Sequence, residues 1–186
     1  MSRTAERRLS LWVEVGLLVV ILATAAFLRF TQLDSVPPGM THDEAAFGAE
    51  AERVLSGERP IYFALGYGHE PLYGYLVALS FSLLGPTLTA LRVTSAVCGL
   101  LVVLGTYFVA RRMFGLPAAW IAAAWVAVAF WPLSLSRQAL RAITLPMLWL
   151  PAVWWFWRGL ARQETTAQPV RWRPAFDFVV GGLFLG

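Results

Sequence analysis

Asp43 and Glu44 stand side by side in PPGMTHDEAAFGAEAERVLSG, directly after a long apolar run, with His42 beside them. A carboxylate at a water–lipid boundary can take the proton from a hydroxyl oxygen as that oxygen attacks an electrophilic carbon. Complementary charge lies further on, in SLSRQALRAITLP. Arg137 and Arg141 are four residues apart, which puts them on one face of a helix, and two guanidiniums so placed make a clamp for phosphate or pyrophosphate. The plainer alternative is that they neutralise lipid headgroups or pair with acids. Arg92 is a further candidate for phosphate. Glu70, immediately before Pro71 in GYGHEPLYGYL, and His42 are candidate accessory groups.

The same acids also have a structural reading. Thr41 followed three residues later by Glu44 is the pattern of a helix capping box, and Gly57 supplies a helix stop. Glu44 therefore has two candidate tasks, cap and catalyst. Asp43 is not needed for capping, although it favours the positive end of the helix. Phe47, Ala51, Val54 and Leu55 follow at helical spacing, an apolar stripe suited to the membrane surface. Tyr73 and Tyr75 read as an aromatic belt with Glu70 in the headgroup layer, unless Glu70 has a partner at that depth.

The elements that must hold these residues are membrane helices. Hydrophobic residues make up 58% of the 186 and charged residues only 14%, where a soluble domain carries roughly a quarter charged. Mean hydropathy is +0.62. The fold class expected is an all-α integral membrane protein, a multi-span bundle with two juxtamembrane helices in its first external loop. All 15 basic residues are arginine and the net charge is +4. Beside apolar runs that charge reads as an orientation signal and anionic-lipid contact, with no nucleic-acid partner. The lone cysteine, Cys98, excludes an internal disulfide.

Spans are expected over about 11–30, 91–110, 117–135 and 142–157, with an incomplete fifth over 175–186 and an external loop over 31–90. Surface helices are expected near Asp43–Ser56 and Pro71–Leu84. The second has a clean apolar part too short to cross. If it does not cross and the N-terminus is cytoplasmic, nine arginines face inward and six outward; if it crosses, the count is six and nine. The positive-inside rule selects the first arrangement. Seven of the 11 acids then fall in the external loop. The last run stops at Gly186, so a longer protein is expected, and this portion alone is expected to be inactive.

The acid pair after the first span, GERPIYF, HEPLYGYLVALSFSLLG, ALRVTSAVCGLL, YFVARRMFG and SRQALRAITLP together resemble, in order and spacing, the N-terminal half of the GT-C glycosyltransferases. The closest likeness is to bacterial relatives of protein O-mannosyltransferases and of the lipid A aminoarabinose transferase. The resemblance implies an enzyme moving a sugar from a polyprenyl-phosphate donor to a lipid, glycan or protein acceptor on the extracytoplasmic face of the plasma (inner) membrane. It implies that Asp43, with Glu44 beside it, acts on the acceptor as base or through a divalent metal ion; the leaving phosphate then calls for positive charge, for which Arg137 and Arg141, with Arg92 as a further one, are the candidates. Many members carry a second acid after the arginine near the end of span three. RQALRAITLP has none, and Glu70 is the candidate substitute. The rival class is a transporter or flippase for a lipid-linked or anionic substrate, which would more often show mid-membrane charges and internal repeats. Of the acids, only Glu14 lies inside a complete span, near its cytoplasmic end, and no repeat is visible.

Overall fold

The computed structural model describes residues 3–64, 68–164 and 172–184, with side chains over 11–64, 68–161 and 175–184. The side chains of Arg3, Arg7, Arg8, Arg162, Arg171 and Arg173, all counted above for orientation, lie outside these, as does the end of the last apolar run. The described residues are helical: α1 (Arg3–Phe30), α2 (His42–Leu55), α3 (Leu72–Leu84), α4 (Leu88–Phe114), α5 (Leu116–Val128), α6 (Phe130–Arg137), a 3-10 turn (Arg141–Ile143), α7 (Thr144–Glu164) and α8 (Trp172–Leu183). This is an all-α membrane protein with two short helices between its first two long apolar ones.

Among the described residues two helices are long and apolar enough to cross a bilayer, α1 over Leu11–Phe30 and α4 over Leu88–Phe114. The run expected as one straight span over 117–135 is instead α5 and α6, bent by 53°. Ala129 leaves the helix with extended backbone, and together the two pieces are apolar enough for a third crossing. Helix α7 has the length of a span, at 21 residues with Pro151 inside it, but its tryptophans, prolines and Arg158 keep its hydropathy below that of α1 and α4. Helix α3 has 13 residues, about 20 Å at 1.5 Å per residue and too short to cross alone.

The chain divides into two compact units, with cuts after Ala26, Gly99, Ala129 and Leu145. In the unit holding the start of α1, the latter half of α4, and α5, Ala119, Ala123 and Ala127 fall at four-residue steps and are buried against Ile21, Ala25, Val103 and Tyr107. Small residues at that spacing let membrane helices approach closely. Glu14, the acid inside the first run, is buried and 2.6 Å from Arg111 Nη1, and it accepts a hydrogen bond from the Tyr107 hydroxyl. An acid at that depth needs such partners. The contact joins the start of α1 to the end of α4, so these two helices run antiparallel.

The other unit holds the end of α1, α2, α3, the start of α4, α6 and the 3-10 turn. Here the apolar stripe of α2 does not lie on a membrane surface as expected. Phe47, Ala51 and Val54 are buried within the protein, while Leu55 is exposed. The stripe belongs with α3, where Phe47 meets the Tyr73 ring edge-on at 5.0 Å. Nor do the tyrosines form a belt. Tyr73 is fully buried and bonds Ser95 Oγ at 2.7 Å, and the Tyr75 hydroxyl donates to Pro60 O at 3.0 Å.

Gly99 allows the close approach of α4 to α6. A Cβ there would overlap the Ser136 side chain and lie 3.0 Å from Arg29 Nε, which donates to Ser136 Oγ at 3.2 Å. Gly99→Ala should therefore cost about 1–3 kcal/mol, read as a lower unfolding temperature of the full-length protein in detergent. An unchanged temperature would contradict this packing.

Candidate active site

The site is organised at the start of α2. Thr41 is the N-cap with extended backbone, and it forms the expected capping box: Glu44 N donates to Thr41 Oγ1 at 3.2 Å and Thr41 N to Glu44 Oε2 at 2.9 Å. Glu44 does more than cap. Arg92 Nε donates to its Oε1 at 2.8 Å, Arg92 Nη2 to Oε2 at 3.2 Å, and Ala139 N to Oε1 at 3.1 Å. The rest of the guanidinium is spent on carbonyls, Nη1 on Leu33 O and Pro37 O at 2.9 Å each and Nη2 on Gly39 O at 2.5 Å. Every guanidinium N–H is thus matched to an acceptor. Both side chains are 0% exposed.

This geometry corrects two expectations. Arg92 is buried with its donors occupied, so it holds the fold together and does not face a donor phosphate. Glu44 is likewise consumed by its donors, the Thr41 hydroxyl at 3.3 Å among them, and faces no acceptor. Removing one partner of such a pair leaves an uncompensated buried charge, at a cost of about 3–5 kcal/mol. Burial opposes ionisation of Glu44, but the bonds from Arg92, Thr41 N and Ala139 N outweigh it and hold the carboxyl below the usual carboxylate value.

Asp43, one residue earlier and rotated about 100° round the helix, points outward, with its side chain 70% exposed. His42 is 98% exposed, its Nδ1 3.8 Å from Asp43 Oδ1 and beyond hydrogen-bond reach. The adjacent acids therefore part company, one sealed inside and one open.

The two arginines do not share a helix face. Helix α6 ends at Arg137, Leu140 is extended, and Arg141 begins a separate 3-10 turn. Arg137 closes the end of α1: Nη1 donates to Leu28 O at 2.5 Å, and Nη2 to Thr31 O at 2.8 Å and Val36 O at 2.8 Å. A cation on the last carbonyls of a helix satisfies groups with no intrahelical partner. Arg141 meets a different partner. Its Nη1 is 2.7 Å from Glu70 Oε2, with side chains 44% and 53% exposed. Burial again opposes ionisation of Glu70, and hydrogen bonds from its own backbone and from Arg141 lower its carboxyl nonetheless. Of the three arginines expected at the donor phosphate, Arg92 is buried, Arg137 is half-buried with its guanidinium on carbonyls, and Arg141 is exposed in a pair with Glu70.

One buried pair was not anticipated. His69 Nε2 lies 3.2 Å from Glu50 Oε2, with side chains 10% and 0% exposed. The legible signal was Glu50 itself: at i+3 from Phe47 and i−4 from Val54, it is an acid on the apolar stripe of α2. Among the described residues no three His, Cys, Asp or Glu side chains converge on a point where a metal ion could sit. Asp43 has His42 beside it at 3.8 Å but belongs to no such group among the described residues, so these residues do not fit a metal site.

The lowered Glu44 value has a pH consequence. A carboxyl whose folded pKa is depressed contributes stability above its unfolded pKa of about 4.3, and loses it as pH falls through the folded value. The parent should be more stable than Glu44→Gln at neutral pH by about 3 kcal/mol, and the gap should close as pH falls below about 4. Thermal unfolding of both proteins across that range checks it. A gap independent of pH would contradict an ionised Glu44.

Residues 68–173, over half the chain, match the family described as dolichyl-phosphate-mannose-protein mannosyltransferase. No curated protein and no solved structure matches. The matched stretch includes Glu70, Arg92, Arg137 and Arg141, and Asp43 and Glu44 precede it. With two or three helices among the described residues long and apolar enough to cross a membrane, the chain belongs to the dolichyl-phosphate-mannose-protein mannosyltransferase family and is a membrane glycosyltransferase of the GT-C type.

Proposed function

We propose that the protein transfers a sugar from a polyprenyl-phosphate carrier to an acceptor hydroxyl at the extracytoplasmic face of the plasma membrane. The observation that carries the assignment of roles is the contrast between Asp43 and Glu44: the first is open to solvent, the second is sealed by Arg92. The acceptor oxygen attacks the anomeric carbon and forms the new C–O bond. Asp43 takes its proton. The bond from the anomeric carbon to the phosphate oxygen breaks, and that oxygen leaves with the electron pair. The departing phosphate is already an anion, so it calls for positive charge more than for an acid. Arg141 supplies that charge, with Glu70 as its partner in the resting site.

The antiparallel run of α1 and α4 supports the orientation. It agrees with an arrangement in which the N-terminus and Arg111–Arg112 share one side of the membrane and α3 does not cross. By the positive-inside rule the arginine-rich side is taken as cytoplasmic, with Asp43, Glu70 and Arg141 on the other.

Asp43→Asn should reduce transfer by about 10²- to 10⁴-fold with an unchanged unfolding temperature, measured with the full-length protein and a polyprenyl-phosphate mannose. Transfer at the parent rate would remove the base assignment. Arg141→Ala should raise KM for the same donor by about tenfold while KM for the acceptor stays put. An effect confined to the acceptor would contradict the donor role.

A further inference from the structure

Glu50 is fully buried, His69 nearly so, and the two are bonded to one another and unused by the chemistry above. We infer that they form a clasp that positions Glu70 opposite Arg141, an inference that rests on the donor role proposed for Arg141. Glu50 Oε1 has no hydrogen-bond partner among the described residues, so the contact of His69 with Oε2 is the one that compensates this buried carboxylate. The surroundings are apolar and tight. The imidazole meets Phe47 edge-on at 5.5 Å and stacks on Phe63 at 5.9 Å. A Cβ at Gly74 would come within 2.8 Å of the Phe63 ring and 3.7 Å of Glu50 Oε2.

The backbone of His69 is fixed as firmly as its ring. Phe63 N donates to His69 O at 3.1 Å and His69 N to Phe63 O at 2.9 Å, the only β-bridge among the described residues. Gly68 turns the chain into this bridge at φ +77°, against the Tyr62 side chain, where a Cβ would not fit. Glu70 comes next, and Pro71, the N-cap of α3, follows it. With His69 held at its ring by α2 and at its backbone by Phe63, and with the start of α3 directly beyond, Glu70 has little freedom to leave Arg141. A carboxylate taken out of water is costly unless paired and hydrogen-bonded, so loss of either member should release the other. The clasp thus acts through Glu70 on the guanidinium that receives the donor phosphate, and its members are positioning residues.

The test uses the full-length protein in nanodiscs and a sugar-free C55 polyprenyl phosphate as the probe. Glu50→Ala and His69→Ala should each weaken binding by about tenfold, and the double variant should be no worse than the weaker single one. Glu50→Gln should stay within about twofold of the parent, because its amide oxygen still accepts from the imidazole N–H. Hydrogen exchange at the amides of Phe63 and His69 should quicken in both alanine variants and not in Glu50→Gln. Unchanged exchange in His69→Ala would overturn the clasp. Faster exchange with unchanged affinity, or additive losses in the double variant, would overturn its positioning role. If Glu50→Ala does not fold, His69→Ala and Glu50→Gln decide between these outcomes. Arg141→Ala separates the two readings: if it leaves affinity for the same probe intact, the donor role fails, while the exchange result still decides the clasp.

Discussion

A guanidinium and a carboxylate with no access to solvent, Arg92 and Glu44, hold the polar part of this protein in place. Water cannot share the work of neutralising them, so each must find its partners within the protein. They find them in four places: the first turn of α2, the loop carbonyls of Leu33, Pro37 and Gly39, the start of α4, and the amide of Ala139 beyond α6. Segments far apart in the chain are thereby tied to one point. The arrangement has little tolerance, since a shift of any one segment strands a buried polar group.

That constraint divides the labour among residues of the same type. Adjacent acids on a helix are rotated about 100° apart, so once Glu44 turns inward to Arg92, Asp43 is driven to the surface. Three arginines that look alike in sequence take three tasks in the same way. Arg92 neutralises a buried acid, Arg137 closes the end of α1, and Arg141 stands exposed in a pair with Glu70. Chemistry in the site then depends on the residues that structure has not consumed.

Much of this was legible from the chain. The apolar runs, the two short helices, the Thr41–Glu44 capping box and the glycosyltransferase likeness all rest on local patterns that local physics explains. The errors were tertiary. The Arg137–Arg141 spacing implied a shared face only if the helix continued, and it ends at Arg137. The stripe of α2 reads equally well as membrane-facing or as packed on α3, and only burial distinguishes them. The burial of Arg92 depends on carbonyls 53 to 59 residues away in the chain, which no spacing rule reveals. Glu50 did leave a mark, as a charge at a core position of α2, and its partner His69 lies beyond the reach of local patterns. The transporter alternative loses ground to the family match, and two acids inside apolar runs are already paired, Glu14 with Arg111 and Asp177 with Arg158.

The central claim is that of two neighbouring carboxylates one is architecture and the other is available for reaction. A structure of the full-length protein with a polyprenyl-phosphate sugar and an acceptor analogue bound tests it most directly. The account predicts the acceptor hydroxyl within hydrogen-bond distance of Asp43, the donor phosphate on Arg141, and Glu44 still sealed on Arg92. Glu44 released from Arg92 and turned to the acceptor, with Asp43 left in solvent, would contradict it.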